Sequence, residues 1–165
     1  MIPLSGSGVQ QPSELSRLLA EELTLVRQFV ALLSREQAFL VANQTDELPT
    51  LAEQKARLAE RLATLAAARD TALSANGAPG GKAGMDAWSK TRQAPASAAA
   101  DWNALLSLAA EARALNTLNG ELIVERMQKN RQALQILTAA TERAALYGPD
   151  GQTKISTGGR ILGSA

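Results

Sequence analysis

LNTLNGELIVERM, residues 115–127, decides the fold. Asn119-Gly120 is ordinarily a turn signal. Yet the leucines before it, and Leu122, Ile123, Val124 and Met127 after it, keep the three-to-four spacing of one helical face. The pattern therefore predicts helix on both sides of the dipeptide. A helix of this length absorbs the roughly 1 kcal/mol that glycine costs relative to alanine. Two readings of Gly120 stand side by side. It lets another backbone come close, or with Asn119 it forms a hinge on which the C-terminal half moves. Asn116 and Asn119 lie on the same stripe, where an amide can hydrogen-bond across a helix interface and fix its register.

Outward from this stretch, helical periodicity extends from about 97 to 147. Ahead of it, Leu15, Leu19, Leu23, Val26, Val30, Leu33 and Leu40 mark a helix over about 13–42. Ser13 is its cap, aided by Glu14. Leu48, Leu51, Lys55, Leu58, Leu62, Leu65, Arg69 and Leu73 mark a second helix over about 46–75, with Asp46 as cap and Pro49 in the first turn, where its missing amide hydrogen costs nothing. Lys55 and Arg69 interrupt this seam and are expected to lay their stems along it and keep their charges in water. NGAPGGKAG, 76–84, reads as a flexible connection, and 85–94 as a short helix whose Trp88 packs as a lid on the hairpin. Residues 148–165, rich in glycine and polar groups, read as a disordered tail. The expected fold is all-α: an antiparallel long-helix hairpin plus a long C-terminal helix, a three-helix coiled-coil-like bundle forming one domain over 1–147.

Composition agrees. The 165 residues are 45% hydrophobic but only 3% aromatic, so alanine and leucine must build the core, which suits closely packed helices better than sheets. With 17 basic and 16 acidic residues the chain has no bias toward nucleic acid. Without cysteine or histidine it can form no disulfide, thiolate nucleophile or His-based catalytic centre. Glu21, Glu22, Glu111 and Glu121, with no E-x-x-H pair, make a di-metal site unexpected. No phosphate loop or dinucleotide motif occurs. The chain is therefore expected to be no enzyme and to need neither metal nor other cofactor. It has no apolar run long enough for a membrane span and no signal-peptide pattern at its start, which points to the cytoplasm and away from direct membrane insertion.

Length then raises a problem of coverage. Two helices of about 40–45 Å cannot sheathe one of about 75 Å, at about 1.5 Å per residue. Some 15–20 residues must overhang, fold back or meet another chain. They include Leu122, Ile123, Val124, Met127, Leu134, Ile136, Leu137, Ala140 and Ala144, an apolar stripe of the kind that marks an interaction site. The mode expected is an amphipathic partner helix packed on positions i, i+3, i+4 and i+7. A structural coiled-coil or scaffold protein that self-associates through the same helix is the alternative; a helical-bundle enzyme or metal binder is a third.

L-N-x-x-N-G-E-L-I at 115–123, followed by an amphipathic segment ending in A-A-L-Y-G-P-D-G-Q at 144–152, resembles the FlgN-type flagellar export chaperones of the type III export system. The resemblance spans most of the chain, apart from the Gly/Pro loop and the Trp88 segment. It implies that the protein binds hook-associated (hook-filament junction) proteins before export and keeps them soluble. Carried over by position, the client surface is Leu122, Ile123, Met127, Asn130, Leu134 and Leu137. Tyr147, in the L-Y-G position, is implied to dock on an export gate membrane protein. A client-free homo-oligomer is a further possibility of this arrangement.

Overall fold

The computed structural model describes residues 13–146, with side chains to residue 143. The described residues form four helices and no strand: α1 (Glu14–Ala42), α2 (Leu48–Ala75), α3 (Gly81–Trp88) and α4 (Ala98–Leu146). The expected disordered tail, 148–165, lies outside the described residues. The all-α class and the hairpin with a long final helix are as the sequence predicts. Set beside the single domain expected over 1–147, packing divides the chain into two units, the first ending at Leu122 and the second beginning at Ile123, within α4.

Within the first unit, α1 starts where Ser13 accepts the backbone N–H of Ser16 at 3.3 Å. It ends at Asn43, whose φ of 60° is the left-handed stop that asparagine tolerates, with Gln44 N–H closing on the Phe39 carbonyl at 2.9 Å. The start of α2 corrects the expectation by two residues. Asp46 is not its cap; Glu47 holds that place with no side-chain hydrogen bond, and Pro49 sits in the first turn. The Leu48 N–H is already occupied by the Thr45 carbonyl at 3.2 Å, so the turn before it closes without help from a carboxylate.

The connection after α2 is ordered, contrary to the reading of 76–84 as flexible. Gly77 takes φ 71°, Gly77 N–H meets Ser74 O and Ala78 N–H meets Leu73 O, both at 3.0 Å, which is the paired closure of a Schellman stop. Three residues on, the Gly81 N–H donates to the Asp70 carboxylate at 2.8 Å, and α3 begins there, four residues before the expected short helix, and ends at Trp88 rather than 94. The helix forms where its amides find Asp70 and its apolar residues find a core. Met85 and Trp88 are buried, so Trp88 is a lid as expected. Gly84 is there for space: a Cβ would lie 1.8 Å from the Pro79 carbonyl oxygen.

One core joins these elements. Leu15, Leu18, Leu19, Leu23 and Val26 of α1, Ala72 and Leu73 of α2, Met85 and Trp88 of α3, and Ala98, Trp102 and Leu105 of α4 form a single buried cluster. The start of α1, the end of α2 and the start of α4 therefore meet under α3. Trp102 donates its indole N–H to Asp86 Oδ1 at 2.7 Å. Hydrogen bonds from Lys82, then from Trp102, hold the Asp86 carboxyl below its ordinary pKa.

Gly84→Ala must push α3 off the Pro79 carbonyl. The expected loss is about 1–3 kcal/mol, the usual range for overpacking, read as a lower urea midpoint with unchanged slope. A variant as stable as the wild type would show that α3 is not held this tightly.

Candidate functional site

The hairpin carries two ion pairs across its seam. Lys55 Nζ donates to both oxygens of Glu36, at 2.7 and 2.8 Å, and Arg69 donates to Glu22. From one pair to the other the acid moves fourteen residues back along α1 and the base fourteen forward along α2, two heptads in opposite directions, as an antiparallel pairing requires. Arg69 is buried and its guanidinium lies 5.3 Å from the ring centre of Trp102. The expectation that Lys55 and Arg69 keep their charges wet is therefore corrected: each is held by an acid inside the seam. The sequence carried a usable signal, since Glu22 and Glu36 interrupt the leucine stripe of α1 at the matching distances before the turn.

α4 joins this network through Asn119, which is 1% exposed. Its Nδ2 donates to the Leu33 carbonyl and to Glu36 Oε2, both at 2.9 Å. Glu36 thereby ties Lys55 of α2 to Asn119 of α4. The amide oxygen, Oδ1, is buried with no donor against it. Asn116, paired with Asn119 in the sequence reading, is exposed, so one asparagine and not two enters the interface. Gly120 corrects a second expectation. α4 is helical through Asn119-Gly120, and a Cβ on Gly120 would meet nothing within 4 Å, so no close backbone approach accounts for the glycine.

Trp102, Leu105, Ala112 and Asn119 are the buried stripe of α4 in the first unit. In the second unit a stripe runs through Ile123, Met127, Asn130, Leu134, Leu137 and Thr141, four and three residues apart in alternation; the two successive four-residue steps from Asn119 to Ile123 to Met127 shift it off the seven-residue line of Leu105, Ala112 and Asn119, which passes through Arg126 and Ala133. Here the stripe is bare. Ile123 and Val124 are exposed, and so is every side chain from Met127 to Arg143; Leu134 is 64% exposed. Five of the six residues expected to bind a client thus share one helical face. The sixth, Leu122, stands about 100° round from Ile123 and is half-buried. Tyr147 lies outside the described residues. Glu125, behind the stripe, accepts from Lys129 at 2.7 Å, and that contact keeps its carboxyl below the ordinary pKa. Thr138 and Thr141 turn their hydroxyls back to the carbonyls of Leu134 and Leu137.

The acids weighed for a metal do not converge. Glu22 is taken by Arg69, Glu21 pairs with Arg17 at 3.7 Å, and Glu111 and Glu121 are exposed. Among the described residues no helix is long and apolar enough to cross a membrane.

The described chain is thus a helical hairpin, a short helix and a third long helix whose second half carries an exposed apolar face. The family model described as "FlgN protein" matches residues 11–155, and the chain belongs to the FlgN family. Its relatives include the "Flagella synthesis protein FlgN" of Salmonella typhimurium and that of Salmonella typhi. Each is 28% identical over 146 residues, spanning 87% of this chain and 93% of the relative. No solved structure matches it significantly.

Asn119→Ala should cost about 1–3 kcal/mol, because the buried carbonyl and carboxylate lose a donor. Asn119→Asp should cost more, since it sets a second carboxylate against Glu36. Urea unfolding of the two variants checks the order, and an aspartate variant at least as stable as the alanine one would contradict the assigned hydrogen bonds.

Proposed function

We propose that the protein is a cytoplasmic flagellar export chaperone that holds hook-associated (hook-filament junction) proteins on the second half of α4. Membership of the FlgN family supports the flagellar setting, as does the name of its Salmonella relatives, flagella synthesis protein. The observation that carries the reading is the bare seam of Ile123, Met127, Asn130, Leu134 and Leu137. An amphipathic client helix laid along it completes the layer that the hairpin supplies to Trp102, Leu105 and Ala112 further up the same helix.

The energies suit a carrier that must let go. Four apolar seam residues yield roughly 1.5–3 kcal/mol each when fully buried. Association costs about 4–15 kcal/mol in lost freedom. The two ranges overlap, so this face alone supports weak, reversible binding whose release needs no nucleotide. In this reading Asn119 and Gly120 form the hinge: the asparagine is clamped to α1, and the glycine beside it meets no neighbour that would resist a bend. Delivery to the export gate membrane protein, with Tyr147 as the contact, belongs to the same reading and rests on the resemblance of the L-Y-G segment.

Leu134→Asp should abolish capture of purified hook-associated protein while leaving the far-ultraviolet circular dichroism unchanged, because Leu134 is largely exposed in the free chain. Capture at wild-type strength would remove this face from the client site.

A further inference from the structure

An asparagine followed by glycine is chemically fragile, and this chain has two such steps, Asn76-Gly77 and Asn119-Gly120. The glycine nitrogen attacks the asparagine Cγ, and with no Cβ the glycine backbone swings easily into reach. The new N–Cγ bond closes a five-membered succinimide. The Cγ–Nδ2 bond breaks, the glycine amide proton passes to solvent base, and Nδ2 leaves as ammonia. Water then opens the ring at one carbonyl or the other, giving aspartate, or isoaspartate with the main chain rerouted through Cγ. The sum is amide plus water to carboxylate plus ammonium, with no oxidant or reductant.

The fold treats the two steps differently. Asn119 is buried, and its Nδ2 is committed to the Leu33 carbonyl and to Glu36. It also lies in the interior of α4, whose helical ladder holds the Gly120 nitrogen away from the preceding side chain. Attack there requires α4 to lose both its ladder and its contact with α1.

Asn76 has neither protection. It is the C-cap of α2, with φ −95° and ψ 13°, and Gly77 follows it at φ 71°. Residues 74–77 are all exposed, and a Cβ on Gly77 would meet nothing within 4 Å. Two hydrogen bonds stand in the way of ring closure. Asn76 Nδ2 donates to the Ala72 carbonyl at 2.7 Å, and the Gly77 N–H donates to the Ser74 carbonyl at 3.0 Å. Both belong to the last turn of a helix, where local opening costs least.

We propose that Asn76 is a site of spontaneous deamidation in the folded protein and that Asn119 is shielded from it by α4. The modification strikes a structural joint. Isoaspartate adds a carbon to the main chain before Gly77, so the paired closure of Gly77 on Ser74 and of Ala78 on Leu73 loses its geometry. The new carboxylate faces the Ala72 carbonyl to which the amide donated, at the end of α2 where the helix dipole opposes negative charge. That closure leads directly into α3, whose Met85 and Trp88 belong to the buried cluster, so the lid over the core loosens as the protein ages.

The test holds the full chain in mildly alkaline buffer, with and without concentrated urea, and follows both steps by mass mapping of its peptides. In the folded chain Asn76 should convert at least about tenfold faster than Asn119, giving paired aspartate and isoaspartate products, and in urea the two rates should converge. The aged wild type should unfold at a lower urea midpoint than the fresh protein. Asn76→Gln, whose longer side chain closes a ring far more slowly, should lose most of that shift. Conversion of Asn119 as fast as that of Asn76 in the folded chain overturns the proposal. So does an Asn76 that survives in the folded chain while it converts in urea. An unchanged midpoint after Asn76 has converted overturns the loosening of α3 and supports the site alone.

Discussion

Helix length constrains everything else in this protein. α1 and α2 have 29 and 28 residues, and α4 has 49. At about 1.5 Å per residue the first two reach roughly 43 Å and the last roughly 74 Å. Paired side by side, helices of the first length cannot cover the second. The coordinates show where burial stops. Asn119 is the last fully buried residue of the described chain, and beyond it Leu122 and Arg126 are half-buried and the rest exposed to Arg143. Two successive four-residue steps, Asn119 to Ile123 to Met127, shift the stripe at that point, and the three-and-four alternation then resumes, so an apolar face continues beyond the last buried residue.

The polar groups inside the bundle serve the same division. Buried ion pairs add little net stability, but they are intolerant of mispairing. Glu22 with Arg69 and Glu36 with Lys55 fix the register of α1 on α2, and Glu36 then fixes α4 through Asn119. A leucine-only seam can slide by a heptad; this one cannot without leaving charges unpaired. The Asn119 contact thereby holds the first half of α4 in one register.

Much of this was legible in the chain. The leucine rhythm gave the three long helices, and the length mismatch gave the exposed half of the last. The misreadings share a cause, which is that the deciding partner lies far away in sequence. Lys55 and Arg69 look like solvated interruptions until Glu36 and Glu22, 19 and 47 residues earlier, are found in the facing seam. Residues 76–84 look like a linker because glycines dominate locally, yet Asp70 receives Gly81, and Gly84 is glycine to let α3 pass the Pro79 carbonyl. Gly120 drew attention that belonged to its neighbour: the glycine touches nothing, and Asn119 does the holding. Of the six expected client residues, five share a face by helical arithmetic alone. Leu122 was included through the motif and stands to one side.

The central claim is that α4 has a held half and a bare half. Amide hydrogen exchange along this helix, with and without a hook-associated protein, tests it most directly. The account predicts slow exchange up to about Asn119 and much faster exchange from Ile123 to Arg143 in the free protein, with only the second stretch slowing on binding. Uniform protection along the whole of α4 in a free monomer, unchanged by the client, would contradict it.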